Sequence, residues 1–105
     1  MNPDESIKPL LTQDEVRKIQ TVLLEVAFER HRQQAKWGQQ NHVNSLWLAI
    51  LTEEVGEAAT ACLDVNFAQV PSTLAATRQA LRNELIQISA VAVQWVEKLD
   101  RERFS

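Results

Sequence analysis

Residues 46–66 read LWLAILTEEVGEAATACLDVN. Apolar residues recur in this run every three or four positions with no proline, which is the helical period, so the run is expected to form one long helix. The stripe at positions 46, 50, 53, 57, 61 and 64 holds Leu46, Ile50, Glu53, Glu57, Ala61 and Asp64, so acids interrupt a face that is otherwise apolar. Glu54 stands three residues before Glu57 and Glu53 four before it, which crowds three carboxylates into one turn. Glu53, Glu54 and Glu57 are therefore expected to face inward.

Acids on a helix usually form a solvated face stabilised by Lys or Arg one turn away. Here no Lys or Arg occurs between Trp37 and Thr77, and Glu53 and Glu57 repel as an i,i+4 pair. Downstream, Leu81, Glu84, Ile88, Val91 and Trp95 form a second stripe in which Glu84 replaces an apolar residue. Its helical neighbours Ala80, Leu81, Gln87 and Ile88 bring no cation either. Burial and mutual repulsion both disfavour such carboxylates when charged, and a bound divalent cation removes both penalties. Oxygen donors without a His or Cys set suit a hard ion, Mg²⁺ first and Mn²⁺ second. Such ions leave room for water and phosphate, which points to hydrolysis of a phosphate ester or anhydride.

The rest of the chain is expected to be helical as well. It has two glycines, three prolines and no tyrosine, and strands are not evident. A first helix is expected from Thr12, which with Glu15 makes a T-x-x-E capping box, to about Trp37, with Ile19, Leu23, Val26 and Arg30 on successive turns and Gly38 as its stop. Gly38 to His42 reads as a loop, Asn44 or Ser45 as the cap of the middle helix, and Asn66 as its approximate end. Pro71 and Ser72 precede a third helix carrying Leu74, Leu81, Leu85, Ile88, Ala92, Trp95, Val96 and Leu99. Gly56 is read as a site of close helix crossing and Cys62 as a small core residue. Residues 1–11 are expected to be a flexible segment and residues 12–105 one domain. The fold class is thus all-α, a helical bundle of three long helices plus short segments.

The chain has 105 residues, of which 45% are hydrophobic, so a single copy buries a modest core. Three long helices cannot enclose a site on every side, and completion as a homo-oligomer, dimer or tetramer, is expected. A formal net charge of −3 provides no basic field for stable nucleic-acid binding. One cysteine excludes an internal disulfide, no apolar run reaches a membrane span, and the N-terminus is not an apolar signal segment. A cytoplasmic location is the expectation.

Glu53-Glu54-x-x-Glu57 followed by Glu84-x-x-Gln87 resembles the motif of the MazG-like nucleoside triphosphate pyrophosphohydrolases, in the all-α NTP pyrophosphatase superfamily. The run from Glu29 to His42, ERHRQQAKWGQQNH, and the run from Glu84 to Trp95, ELIQISAVAVQW, are similar to segments of its small single-domain branch, and the likeness extends over roughly residues 15 to 97. The resemblance implies hydrolysis between the α and β phosphates of a (deoxy)nucleoside triphosphate, giving the monophosphate and pyrophosphate, a house-cleaning activity on the nucleotide pool. It implies that Glu54, Glu57 and Glu84 are metal ligands and that Glu53 is an additional acid assisting a second ion or the attacking water. Where the superfamily pattern ends in Asp, this chain has Gln87. Gln87 either ligates through its amide oxygen, acts through water, or leaves the role to Asp64. Lys36 is the candidate catalytic cation and phosphate contact, with Arg32 beside it. Trp37 is a candidate to stack on the base and His42 to hydrogen-bond to base or phosphate. The alternatives are a non-catalytic helical module that binds nucleotide or a protein partner, and a hydrolase of another diphosphate-containing metabolite.

Overall fold

In the computed structural model, which describes residues 8–103, the chain forms helices α1 (Gln13–Trp37), α2 (Asn44–Asn66) and α3 (Pro71–Arg103). No strand occurs among the described residues. Most of the flexible segment expected at residues 1–11 lies outside the described residues; residues 8–11 are non-helical and exposed. No helix is long and apolar enough to cross a membrane among the described residues.

Local chemistry sets most boundaries. The Thr12 hydroxyl accepts from the Glu15 backbone N–H and the Glu15 carboxylate accepts from the Thr12 N–H, both at 3.1 Å, closing the capping box. Gly38 ends α1 with φ of 69° and donates its N–H to the Gln34 carbonyl, a left-handed conformation that glycine adopts at no steric cost. Pro71 is the first residue of α3, where its missing N–H is not needed. The start of α2 departs from expectation: Val43 takes the cap position with no side-chain hydrogen bond, and Asn44 and Ser45 are already helical. Asn44 is used elsewhere, its carbonyl oxygen accepting from Trp95 Nε1 at 3.0 Å and Lys98 Nζ at 3.3 Å.

Helix α3 is the centre, with α1 and α2 each packed along it and not along each other. Arg30 of α1 makes a two-pronged pair with Glu97 of α3, at 3.1 and 2.9 Å, and Arg82 of α3 meets Glu25 of α1 at 2.6 Å. Arg101 of α3 donates to the Gln40 carbonyl at 3.3 Å and to Asn41 Oδ1 at 3.1 Å, which ties the α1–α2 loop to the end of α3. The result is flat: extents are 45 × 44 × 26 Å and the radius of gyration is 17.7 Å, against about 13 Å for a compact domain of this length.

The core is correspondingly small: Val26, Trp47, Ala58, Ala61, Ala90 and Val91 are its buried apolar residues. Several residues expected inside are outside. Ile19 and Leu23 are exposed because only the C-terminal half of the α1 stripe, from Val26, Arg30 and Gln33, is shielded. Leu46, Val55, Leu85, Val96 and Leu99 are also exposed, as is Cys62. A Cβ at Gly56 would meet nothing within 4 Å, so no helix crosses there within this chain.

Candidate metal centre and adjoining cleft

The buried face of α2 runs through Trp47, Ala58 and Ala61, with Ile50, Leu51, Glu54 and Val65 half-buried between and beyond them. This stripe lies about one residue from the one expected, and Glu54 is the acid it carries toward α3. Glu53 and Glu57 are exposed at its flank, and Asp64 is exposed two turns beyond Glu57. From α3, Glu84 is half-buried on the Leu81–Ile88–Val91 stripe and comes up to meet them.

One carboxylate oxygen from each of Glu54, Glu57 and Glu84 lies within 4.8 Å of the others. None of the three has a cationic partner among the described residues. Glu54 Oε2 and Glu84 Oε2 are buried and have no hydrogen-bond partner among the described residues. Burial, then the charges of Glu57, Glu84, Glu53 and Glu29, hold the Glu54 carboxyl above its ordinary pKa. Burial, then the charge of Glu57 and a hydrogen bond shared with it, do the same to Glu84. Oxygens left without donors, within reach of one point and reluctant to ionise, fit a divalent ion, which would satisfy the lone pairs and offset the repulsion.

Glu54 also lines a cleft of about 240 Å³ bounded by Gln33 and Trp37 of α1, Gln40 of the loop, Trp47 and Ile50 of α2, and Gln87, Val91 and Gln94 of α3, with Arg32 at its edge. Trp37 is also exposed, and Lys36 Nζ sits 4.5 Å from its ring centroid in a cation–π contact. His42 lies edge-on to Trp47, with centroids 5.0 Å apart. Trp47 is 1% exposed, and its indole N–H is buried without an acceptor. Arg32 is not a free cation, because its guanidinium is held by Glu29 at 2.9 and 2.6 Å. A second, polar groove of about 450 Å³ shares Arg32 and Gln87 with the cleft and adds Glu25, Arg82 and Asn83.

Protein-family models, curated proteins and solved structures yield no match to this chain.

Of the residues singled out from the sequence, Glu54, Glu57 and Glu84 are brought together, and Glu53 is near enough for its charge to act on Glu54. Gln87, Trp37 and Arg32 share the cleft with Glu54. Lys36 and His42 touch its tryptophans rather than lining it. Four cleft residues carried no functional assignment from the sequence: Trp47, Gln40, Gln33 and Gln94. The last two did leave a signal, since each is a glutamine on an apolar helix stripe, Gln33 one turn after Arg30 and two after Val26, Gln94 one turn after Val91.

Proposed function

We propose that this chain is a divalent-metal-dependent nucleoside triphosphate pyrophosphohydrolase, working as a cytoplasmic homo-oligomer that clears unwanted nucleotides. The observation that carries the reading is the convergence of Glu54, Glu57 and Glu84 from two helices, unpaired with any cation among the described residues and with two buried orphan oxygens, beside a cleft walled by two tryptophans and four glutamines. Mg²⁺, or Mn²⁺ in its place, would be held by these three glutamates, with Gln87, which lines the cleft together with Glu54, as the neutral fourth donor. When bound there, such an ion would supply Lewis-acid activation of the phosphoryl group and of a water. Glu53, exposed and without an ion-pair partner among the described residues, would act as the general base. Aromatic walls and fixed amides suit a nucleobase. The exposed apolar faces of α1 and α2 support assembly with a second copy.

The test is incubation of the full chain with a panel of deoxynucleoside and nucleoside triphosphates and Mg²⁺, with monophosphate and pyrophosphate resolved by chromatography. Release of the two products in equal amounts, lost in Glu57→Ala and on chelation, is expected. Product formation unaffected by Glu57→Ala and Glu54→Ala would overturn the assignment. The amide at Gln87 favours one rival, a module that binds nucleotide without turnover; calorimetry showing Mg²⁺-dependent binding with no product from any substrate would select it.

A further inference from the structure

One glutamine of the cleft has its amide orientation settled by a chain of contacts that begins outside it. Glu29 accepts two hydrogen bonds from Arg32, and these, with the guanidinium charge, keep its carboxyl below the usual range despite partial burial. Ionised, it can only accept. Gln33 must therefore turn its NH₂ toward Glu29, which it does at 3.1 Å, and present its carbonyl to α3. Gln94 in turn donates its NH₂ to the Gln33 carbonyl. What is left on Gln94 is its carbonyl oxygen and the second N–H of its amide. The residue is 6% exposed, its carbonyl accepts no hydrogen bond among the described residues, and it forms part of the cleft wall.

We propose that Gln94 is a specificity-determining residue whose carbonyl oxygen accepts a hydrogen bond from the exocyclic amino group of a nucleobase, so that the cleft selects 4-aminopyrimidine and 6-aminopurine nucleotides over their oxo counterparts. This rests on the nucleotide reading of the preceding subsection. An oxo base offers its ring N–H beside a carbonyl, and Gln94 Oε1, the carbonyl of Gln33 and the Glu54 carboxylate give the cleft three groups that present oxygens, against the single indole N–H of Trp47 left without an acceptor among the described residues. The base carbonyl would meet like dipoles, whereas an amino group brings two N–H donors and no oxygen. Trp37 and Trp47 supply the aromatic surface for the ring. Because Arg32 and Glu29 set the relay from α1, the selectivity of a residue on α3 depends on a carboxylate it does not touch.

The experiment compares kcat/KM within the pairs dCTP and dUTP, and dATP and dITP, for the wild-type chain, Gln94→Leu and Glu29→Gln. The wild type is expected to favour the amino member by about tenfold or more, the scale of leaving a buried polar group unpaired. Gln94→Leu should bring the ratio to within about threefold through loss on the amino substrates. Glu29→Gln leaves Gln94 in place but supplies a donor where only an acceptor stood, which lets both amides turn over; the ratio should fall or invert. That second outcome separates a reading role from mere packing, and Glu29→Gln also serves if Gln94→Leu does not fold. A wild-type ratio near one or in favour of the oxo bases, or a ratio preserved in both variants, overturns the proposal. If no substrate is turned over, the catalytic reading fails by itself, and dissociation constants for the same pairs with Mg²⁺ decide the base reading by the same ratios. Absence of binding overturns both.

Discussion

Neutralising one member of the carboxylate cluster is expected to stabilise the metal-free protein, and only at neutral and alkaline pH. Glu84→Gln is the informative substitution, because it keeps the side-chain volume and removes one of three charges whose oxygens lie within 4.8 Å of one another. Two unit charges at that separation repel by about 0.9 kcal/mol in bulk water and about 3.5 kcal/mol at an effective dielectric constant of 20. Glu57 is exposed, which places the relief in the lower half of that range, about 1–2 kcal/mol, or roughly 5–10 °C in Tm for a domain of this size. The folded state holds the protons of Glu54 and Glu84 more tightly than the unfolded chain, whose carboxyls titrate near 4.5. Stability is therefore full below that pH and is lost as pH rises through the raised values. Melting curves in EDTA at one protein concentration, from pH 4 to 8.5, should show the wild type losing Tm with pH and Glu84→Gln losing less, with the two converging at the acid end. Adding Mg²⁺ should reverse the order, since an ion at 100 times its dissociation constant contributes about 2.7 kcal/mol to whichever protein binds it. A Glu84→Gln protein that melts at or below the wild type at pH 8 in EDTA, or a difference independent of pH, would refute the view that these carboxylates repel without compensation.

Gln87→Glu places a fourth carboxylate beside Glu54 and should tighten Mg²⁺ binding by about tenfold, measured calorimetrically, while lowering the metal-free Tm. Trp37→Ala should raise KM by about 5-fold or more with kcat little changed, as loss of a stacking wall worth about 1 kcal/mol or more would do; an unchanged KM removes Trp37 from the substrate. Leu63→Glu puts a charge on the exposed apolar face of α2 and should shift the chain toward monomer in sedimentation velocity; an unchanged mass distribution places the subunit interface elsewhere.

What was legible in the sequence was local. Thr12 and Glu15 announce their capping box within four residues, Gly38 supplies the left-handed stop, and Pro71 opens α3, so three helices with nearly correct ends could be read directly. The acids could be found as well, because Glu84 stands in an apolar stripe and no cation follows Lys36 until Arg78. The inward face of α2 was misjudged for a physical reason: Leu46, Trp47, Leu48, Ile50 and Leu51 make the start of the helix apolar nearly all round, and periodicity then cannot choose a side. Packing of Trp47 against α3 chooses it, and by doing so carries Glu54 inward and leaves Glu53 and Glu57 at the rim. Asn44 was misassigned because its partners, Trp95 and Lys98, are more than fifty residues away. The Gln33–Gln94 contact spans a similar separation, and no local pattern announces it.

Gly56 connects the fold to the proposed assembly. A glycine inside a helix costs about 0.8–1 kcal/mol relative to alanine, and within this chain nothing comes close enough to require it. It lies two residues from both Glu54 and Ala58, on nearly the opposite side of α2 from the face packed on α3. Thr52, Ala59 and Thr60, one turn from it, and Leu63, two turns on, are exposed and mostly small or apolar. Such a surface admits close approach by another helix, and α1 does not occupy it, since α1 packs only on α3. Under the proposed homo-oligomer, a second copy lying on this face would also border Glu53 and Glu57, which flank the exposed side of the carboxylate cluster. Dissociation and loss of metal affinity should then go together: Leu63→Glu, which touches none of the glutamates, should weaken Mg²⁺ binding in proportion to the fraction of monomer it creates, and full Mg²⁺ affinity in a monomeric variant would show that the site is complete within one chain.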